Sequence, residues 1–387
     1  MPRSTLSFIG LVLLAIIVVA CGDQPPPTDG AESPAVESPG ESAPATESAA
    51  PSDEPPAAGD GILATVQERE SLICGVNGGL AGFSFLEEDG TTTGFDADFC
   101  RAIAAAVLGD PEAVEFRALS TDERGPALQT GEVDVLIRNT TWTVSRDTSW
   151  GLFGPTTFYD GQAIMVNSTA VDATELEDLA GATICVQSGT TTELNLNDQF
   201  SALGIDFTPQ VFAEIDPTYQ AYAEGRCDAV TSDRSQLVSR RTALENPDDH
   251  VILDAVMSKE PLGPVAPLGD DQWFNIVKWV VYATIQAEEL GITQANVEDT
   301  AASTEDPVTQ RLLGVPIVAA EGEEAAPFDS GLGLESDWVV NVISAVGNYG
   351  EIYDRNLGPD TPFNLERGLN NLWNADPPGL LYAPPYR

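Results

Sequence analysis

The sequence predicts an α/β protein of two similar lobes, each built on a sheet with a parallel core, joined by two chain crossings. Three observations predict it. Short apolar runs alternate with amphipathic helical stretches from Leu63 onward, the βαβ pattern of a parallel sheet with right-handed crossovers. The pattern pauses at an extended stretch around Ala163 to Val166 and then begins a second time. At 387 residues and 42% hydrophobic content the chain exceeds one small core, since domains usually hold ~100 to 200 residues.

The N-terminus comes first. Arg3 is followed by Phe8 to Ala20, thirteen residues without a charge, too few for the ~20 that a membrane-spanning helix needs. An export signal over residues 1–20 fits better, and Val18-Val19-Ala20-Cys21 resembles the lipobox of bacterial lipoproteins, which implies lipidation of Cys21 and a membrane anchor. Residues 22–60 contain no aromatic, no Lys or Arg and one branched aliphatic, Val36, so they cannot bury enough surface to offset chain entropy. Residues 21–61 are therefore expected to form a tether, with a reach of roughly 35 Å by flexible-chain scaling.

In the first lobe, expected over residues 62–163, Leu72 to Val76 reads as a strand broken by Gly78, Gly79 and Gly82. Phe95 to Leu108 follows as a helix, Ala113 to Ala118 as a strand, Arg124 to Thr130 as a helix stopped by Gly131, and Val133 to Ile137 as a buried strand. In the second, expected over residues 164–255, Ala182 to Val186, Asp206 to Val211 and Ala229 to Thr231 read as strands, the last ending at Asp233. A Thr-capped turn at Ser188 to Glu193 opens one helix there and Pro217 to Gly225 forms another. Val251 to Ile252 would lead the chain back, so residues 256–324 rejoin the first lobe through a helix at Gln272 to Gln286, and the two crossings form a two-stranded hinge. Residues 325–387, rich in Trp, Tyr and Pro, read as a C-terminal extension packed on the surface of the lobes.

Charge and cysteines exclude several functions. With 17 Lys and Arg against 61 Asp and Glu, a net charge of -44 repels nucleic acid and anionic lipid surfaces. Past Cys21 there are Cys74, Cys100, Cys185 and Cys227, an even number in a chain bound for an oxidising compartment. Four cysteines allow three pairings; spacing favours Cys74 with Cys100 and Cys185 with Cys227, because each pair closes a local unit within one lobe. No CxxC occurs and His250 is the sole imidazole, which leaves little for a metal site or a Cys-His nucleophile. No cofactor motif is present: Gly331 to Leu334 lacks the third glycine of a dinucleotide fingerprint, and there is no Walker A sequence.

Informative residues gather after strands, where functional loops of α/β folds lie. The Val133 to Ile137 strand delivers Arg138-Asn139-Thr140-Thr141-Trp142-Thr143, with Arg146 at a helix start, a set of hydroxyls, N–H groups and a guanidinium suited to a carboxylate. In the second lobe Thr190 and Thr191 offer donors at another helix start, while Asp233 offers a negative charge for an ammonium group. Taken singly, Arg146 fits a surface ion pair, Asp233 a helix cap, and Thr190-Thr191 a capping box with Glu193. Their coincidence at corresponding strand ends points to a zwitterion site.

The runs Cys74 to Ser84, Gly94 to Ala102 and Arg138 to Thr148 resemble the family-3 amino-acid-binding proteins. Gly189 to Leu196, Asn246 to Ile252, Ser258 to Pro264 and Ala345 to Ile352 look like the general L-amino-acid-binding subunits of polar amino-acid ABC importers, and the likeness covers about residues 62 to 387. It implies the two-lobed periplasmic-binding-protein fold of type II. It also implies a monomer that captures L-amino acids by lobe closure and serves the permease subunits of an importer. By the family pattern Arg146, Thr141 and Thr191 hold the ligand carboxylate, and Asp233 with backbone near Asn139 holds its amino group. Asn77 stands where relatives specific for basic ligands carry an acid, and Leu80 where many carry a stacking aromatic. These departures imply broad specificity, with Phe83 and Trp142 as apolar walls and Arg138 as a partner for acidic ligands. The rival readings are a periplasmic enzyme on the same scaffold, such as a cyclic-acid dehydratase using Glu87, Glu123 or Asp233, and an amino-acid-sensing lipoprotein. Catalysis needs an acid or base within reach of a substrate proton, and Asp233 is better explained as an ammonium partner.

Overall fold

The computed structural model describes residues 61–318 and 324–387; the expected signal, the lipidation site at Cys21 and most of the tether lie outside the described residues. Two five-stranded sheets organise the rest, with the same plan. In the first, Val114–Ala118, Leu72–Val76 and Val135–Leu136 run parallel, and Val265–Pro267 and Gly151–Phe153 continue the sheet antiparallel. In the second, Thr208–Phe212, Thr183–Gln187 and Ala229–Asp233 are parallel, followed by antiparallel Gln162–Asn167 and His250–Ile252. The fourth strand of each sheet is the one that has just arrived from the other. This is the type II two-lobed arrangement of parallel-core sheets.

The inner strands read as they do because both of their faces are covered, whereas the edge strands Val114–Ala118 and Thr208–Phe212 are largely exposed. Along Gln162–Asn167, Ile164 and Val166 enter one core with Ile184, Leu196 and Phe200, while Ala163 and Met165 enter another with Tyr219 and Tyr222. Successive side chains point to opposite faces, so a strand buried on both sides is apolar throughout. The Phe95–Leu108 helix is almost wholly buried, which its five alanines and two phenylalanines allow. It starts at Gly94, whose φ of +124° and the 2.3 Å between a built Cβ and the Phe83 carbonyl oxygen leave room for glycine alone. The two expected disulfides are present. Cys74 joins the Leu72–Val76 strand to Cys100 on that helix, and Cys185 joins the Thr183–Gln187 strand to Cys227.

Two expectations need correction. The return crossing is Glu260–Leu262, which pairs antiparallel with Phe158–Asp160; Val251 and Ile252 stay in the second sheet, paired to Val166 and Met165. The C-terminal stretch is also no surface layer. Its helices Trp338–Val346 and Tyr349–Asn356 insert Val342, Ile343, Tyr349 and Tyr353 into the core of the first lobe. Tyr349 and Tyr353 pack against Phe95, and Tyr353 stacks on Phe158 of the hinge strand at 6.0 Å, so the hinge is rooted in that core. Arg355 and Asn356 tie the second of these helices to buried Asp98 at 2.6 and 2.7 Å.

Candidate functional site

The two sheets face each other across a polar cavity with about 480 Å³ of empty space counted out to its mouth. Strand ends supply its walls. The first lobe contributes the segment after Val135–Leu136. There Thr143 caps the helix Val144–Ser149, accepting the Arg146 N–H at 3.3 Å, and Arg146 donates back to the Thr141 carbonyl at 2.9 Å. Trp150 lies beneath the guanidinium, 5.1 Å from the ring centre, which holds Arg146 in one orientation. Asn139 is fixed from two sides: its N–H donates to Asp96 on the buried helix at 3.0 Å, and Asn77 donates to its side-chain oxygen at 3.1 Å.

The second lobe contributes two helix starts. Thr190 caps Thr191–Leu203, accepting the Glu193 N–H at 3.1 Å, while Glu193 accepts the Gly189 N–H at 3.0 Å. The Thr190 hydroxyl also donates to the Gln187 carbonyl at 2.7 Å, so it shapes the turn and is fully engaged there. Asp233 ends the Ala229–Asp233 strand at the start of the helix Arg234–Arg241, yet makes no side-chain cap. Its Oδ1 is buried without a hydrogen-bond partner.

Asp160, which ends one hinge strand, and Glu260, which begins the other, are carboxylates that each hold one of these helix starts. Glu260 accepts from Thr191 and Asn195, both at 2.8 Å; Asp160, its register partner, accepts from Gly161 at 2.8 Å and from Ser235. The hinge thereby sets where the second lobe's helix N-termini point. Contacts across the cavity complete a closed arrangement. Asn139 donates to Gln236 at 3.0 Å, Ser239 donates to the Ala81 carbonyl at 2.8 Å, and the Thr141 and Thr191 hydroxyls lie 3.4 Å apart.

Burial dominates the electrostatics. It pushes the Asp233 carboxyl well above the ordinary range, with the charges of Asp160 and Glu260 adding to the shift and Arg124 and Arg146 opposing it. Burial also raises Asp160 and Asp96 to about 6 each. On the cationic side it lowers Arg146, and it lowers Arg138 to about 10. Arg124 falls well below its usual value through burial and the repulsion of Arg138 and Arg146. A buried acid with an orphaned oxygen opposite a fixed guanidinium is an arrangement that a zwitterion would complete.

Of the residues expected here, Asn77, Arg138, Asn139, Thr141, Arg146, Thr190, Thr191 and Asp233 line this cavity. Leu80, Phe83 and Trp142 do not. Leu80 and Phe83 are 1% and 0% exposed in the first lobe's core, where Phe83 packs edge-on against Phe95 and Phe158. Trp142 stacks on Phe153 and borders a separate crevice with Tyr159 and Tyr282. Arg124, Gln236 and Glu260 were not expected. Arg124 opens the helix Arg124–Gln129 just past the end of the Val114–Ala118 strand, so the strand-end rule that found Arg138 would have found it. Nothing local marks Gln236 or Glu260.

Two α/β lobes closed over a polar cavity, with a hinge that reaches both walls, define a protein of the bind-and-close class. The model of the bacterial extracellular solute-binding proteins, family 3, matches residues 72–358, and the chain belongs to that family. It is 50% identical over 326 residues to the general L-amino acid-binding periplasmic protein AapJ of Rhizobium johnstonii, covering 84% of this chain and 92% of that one. The glutamate/glutamine/aspartate/asparagine-binding protein BztA of Rhodobacter capsulatus is 47% identical over 332 residues, covering 86% and 95%. An ABC transporter periplasmic binding protein from Brucella ovis, solved with glutathione bound, superposes with a TM-score of 0.79 at 49% identity, covering 84% of this chain and 99% of its own. The protein is a solute-binding protein and not an enzyme, from a family that acts outside the cytoplasm.

Proposed function

We propose that the cavity binds free L-α-amino acids, accepts several side-chain types, and presents the closed form to the permease of an ABC importer. The observation that carries this reading is the orphaned Asp233 Oδ1 across the cavity from Arg146. The ligand carboxylate meets Arg146, the Thr141 hydroxyl and the free N–H groups that begin the helix at Thr191. Its ammonium meets Asp233, with the Asn139 carbonyl as a further acceptor. The amino-acid binding for which AapJ and BztA are named supports the ligand class. Closure follows because a ligand touching both lobes stabilises the form in which both touch it. Division at the hinge into a first lobe of about residues 62–163 and 256–387 and a second of 164–255 accords with this, as does a monomer anchored through Cys21 beyond its tether.

The test is calorimetric titration of the full chain, stripped of carried ligand by unfolding and oxidative refolding, with each of the twenty L-amino acids. Binding of several, abolished in Arg146→Ala, is the expected result. No binding by any of them, with a folded protein, contradicts the reading.

A further inference from the structure

The cavity holds more positive charge than one α-carboxylate needs. Three guanidiniums line it, Arg124, Arg138 and Arg146, against a single carboxylate, Asp233. Arg124 and Arg138 are 4% and 6% exposed, so neither charge is solvated by bulk water. Arg138 donates to the Leu119 carbonyl at 3.0 Å and makes a long 3.4 Å contact to Thr121; neither is an anion. Arg124 donates to the Thr140 hydroxyl at 3.2 Å, stacks on Trp150, and its Nε is buried without a partner. The acids whose charges reach this pair are shared or solvated: Asp233 acts on Arg124 as well as Arg146, Asp96 acts on Arg138 but accepts the Asn139 N–H, and Asp122 and Glu214 are exposed; none makes an ion pair with either guanidinium. Among the cavity's lining side chains Ile215 is the sole aliphatic, and Phe83 and Trp142 form no apolar wall.

We infer that Arg124 and Arg138 form a second carboxylate subsite, so that the cavity ranks acidic L-amino acids above their amides and above apolar ones. This rests on the amino-acid reading proposed above, with the α-carboxylate on Arg146 and the ammonium on Asp233. A side-chain carboxylate supplies acceptors to two buried guanidiniums and relieves their mutual repulsion; an amide offers one oxygen and no charge. An aliphatic side chain leaves the donors buried and unpaired, the situation in which a polar site discriminates most strongly.

Calorimetry on the full chain, stripped as above, with L-glutamate, L-glutamine, L-leucine and glutarate tests it. Glutamate should bind roughly tenfold to a hundredfold tighter than glutamine, the range of a charged hydrogen-bonding group. Leucine should bind more weakly than glutamine, and glutarate, which lacks the ammonium, more weakly than glutamate. In Arg138→Gln and in Arg124→Gln the glutamate-to-glutamine ratio should fall towards one, and Arg138→Lys should keep part of it. Glutamine binding as tightly as glutamate to the unaltered protein overturns the inference and leaves the amino-acid reading standing. A ratio that survives both Gln substitutions does the same. If neither amino acid binds, the amino-acid reading fails and the second subsite falls with it.

Discussion

Replacing Asp233 with Asn should weaken the ligand complex and at the same time stabilise the empty protein. The carboxyl is 7% exposed, its Oδ1 has no partner, and its pKa is raised by burial and then by Asp160 and Glu260. An acid whose folded pKa lies above its unfolded value contributes fully below the unfolded value, near 4, and loses that contribution as pH rises through the folded one. The unaltered protein therefore carries a penalty at pH 7 that Asp233→Asn removes. At pH 4 the two proteins should melt at nearly the same temperature, and the variant should melt higher as pH rises. The ligand ammonium loses a buried charged partner, which costs about 3 kcal/mol, roughly a hundredfold in Kd. Thermal unfolding of the stripped protein between pH 4 and 8, with titration of L-glutamate at pH 7, reads both effects. Unchanged affinity, or a variant less stable at pH 7, would refute the assignment of Asp233 as an ammonium partner under tension.

Other substitutions separate packing from binding. Trp142→Ala should change amino-acid affinity less than about threefold, since Trp142 lies outside the cavity. Phe83→Ala should cost about 3–5 kcal/mol in denaturant unfolding, with the order of ligand affinities kept, because its ring belongs to the core. Replacing Cys185 and Cys227 together with Ser frees a closed loop spanning 42 residues and should cost about 4 kcal/mol by the chain-entropy model, read from the urea midpoint under non-reducing conditions. Gly94→Ala should cost at least ~2 kcal/mol in the same assay, because its φ of +124° and the Phe83 carbonyl leave no place for a Cβ.

What was legible in the sequence follows a physical line. Leu72–Val76 and Phe95–Leu108 have the bounds their patterns predict, because a strand buried on both faces and an alanine-rich buried helix announce themselves through composition. Arg138, Arg146, Thr191 and Asp233 stood out because strand ends and helix starts are where an α/β fold delivers side chains. The return crossing did not, since Glu260-Pro261-Leu262 has neither the length nor the alternation of a strand and pairs only at the hinge. Phe83 and Leu80 were misplaced for a different reason. Their positions fall near the cavity in sequence, but a three-stranded meander over Gly79–Leu80, Ser84–Leu86 and Thr92–Thr93 and the rings of Phe95 and Phe158 turn them inward. The C-terminal stretch misleads likewise: its Pro, Trp and Tyr suggest a surface layer, whereas the apolar run Trp338–Val346 packs into the first core.

A crystal structure of the full chain grown with L-glutamate would show the ligand's placement outright. The α-carboxylate should lie on Arg146 and the helix start at Thr191, and the ammonium within hydrogen-bond distance of Asp233 Oδ1. A ligand bound outside this cavity, or one whose ammonium leaves Asp233 without a partner, would contradict that placement.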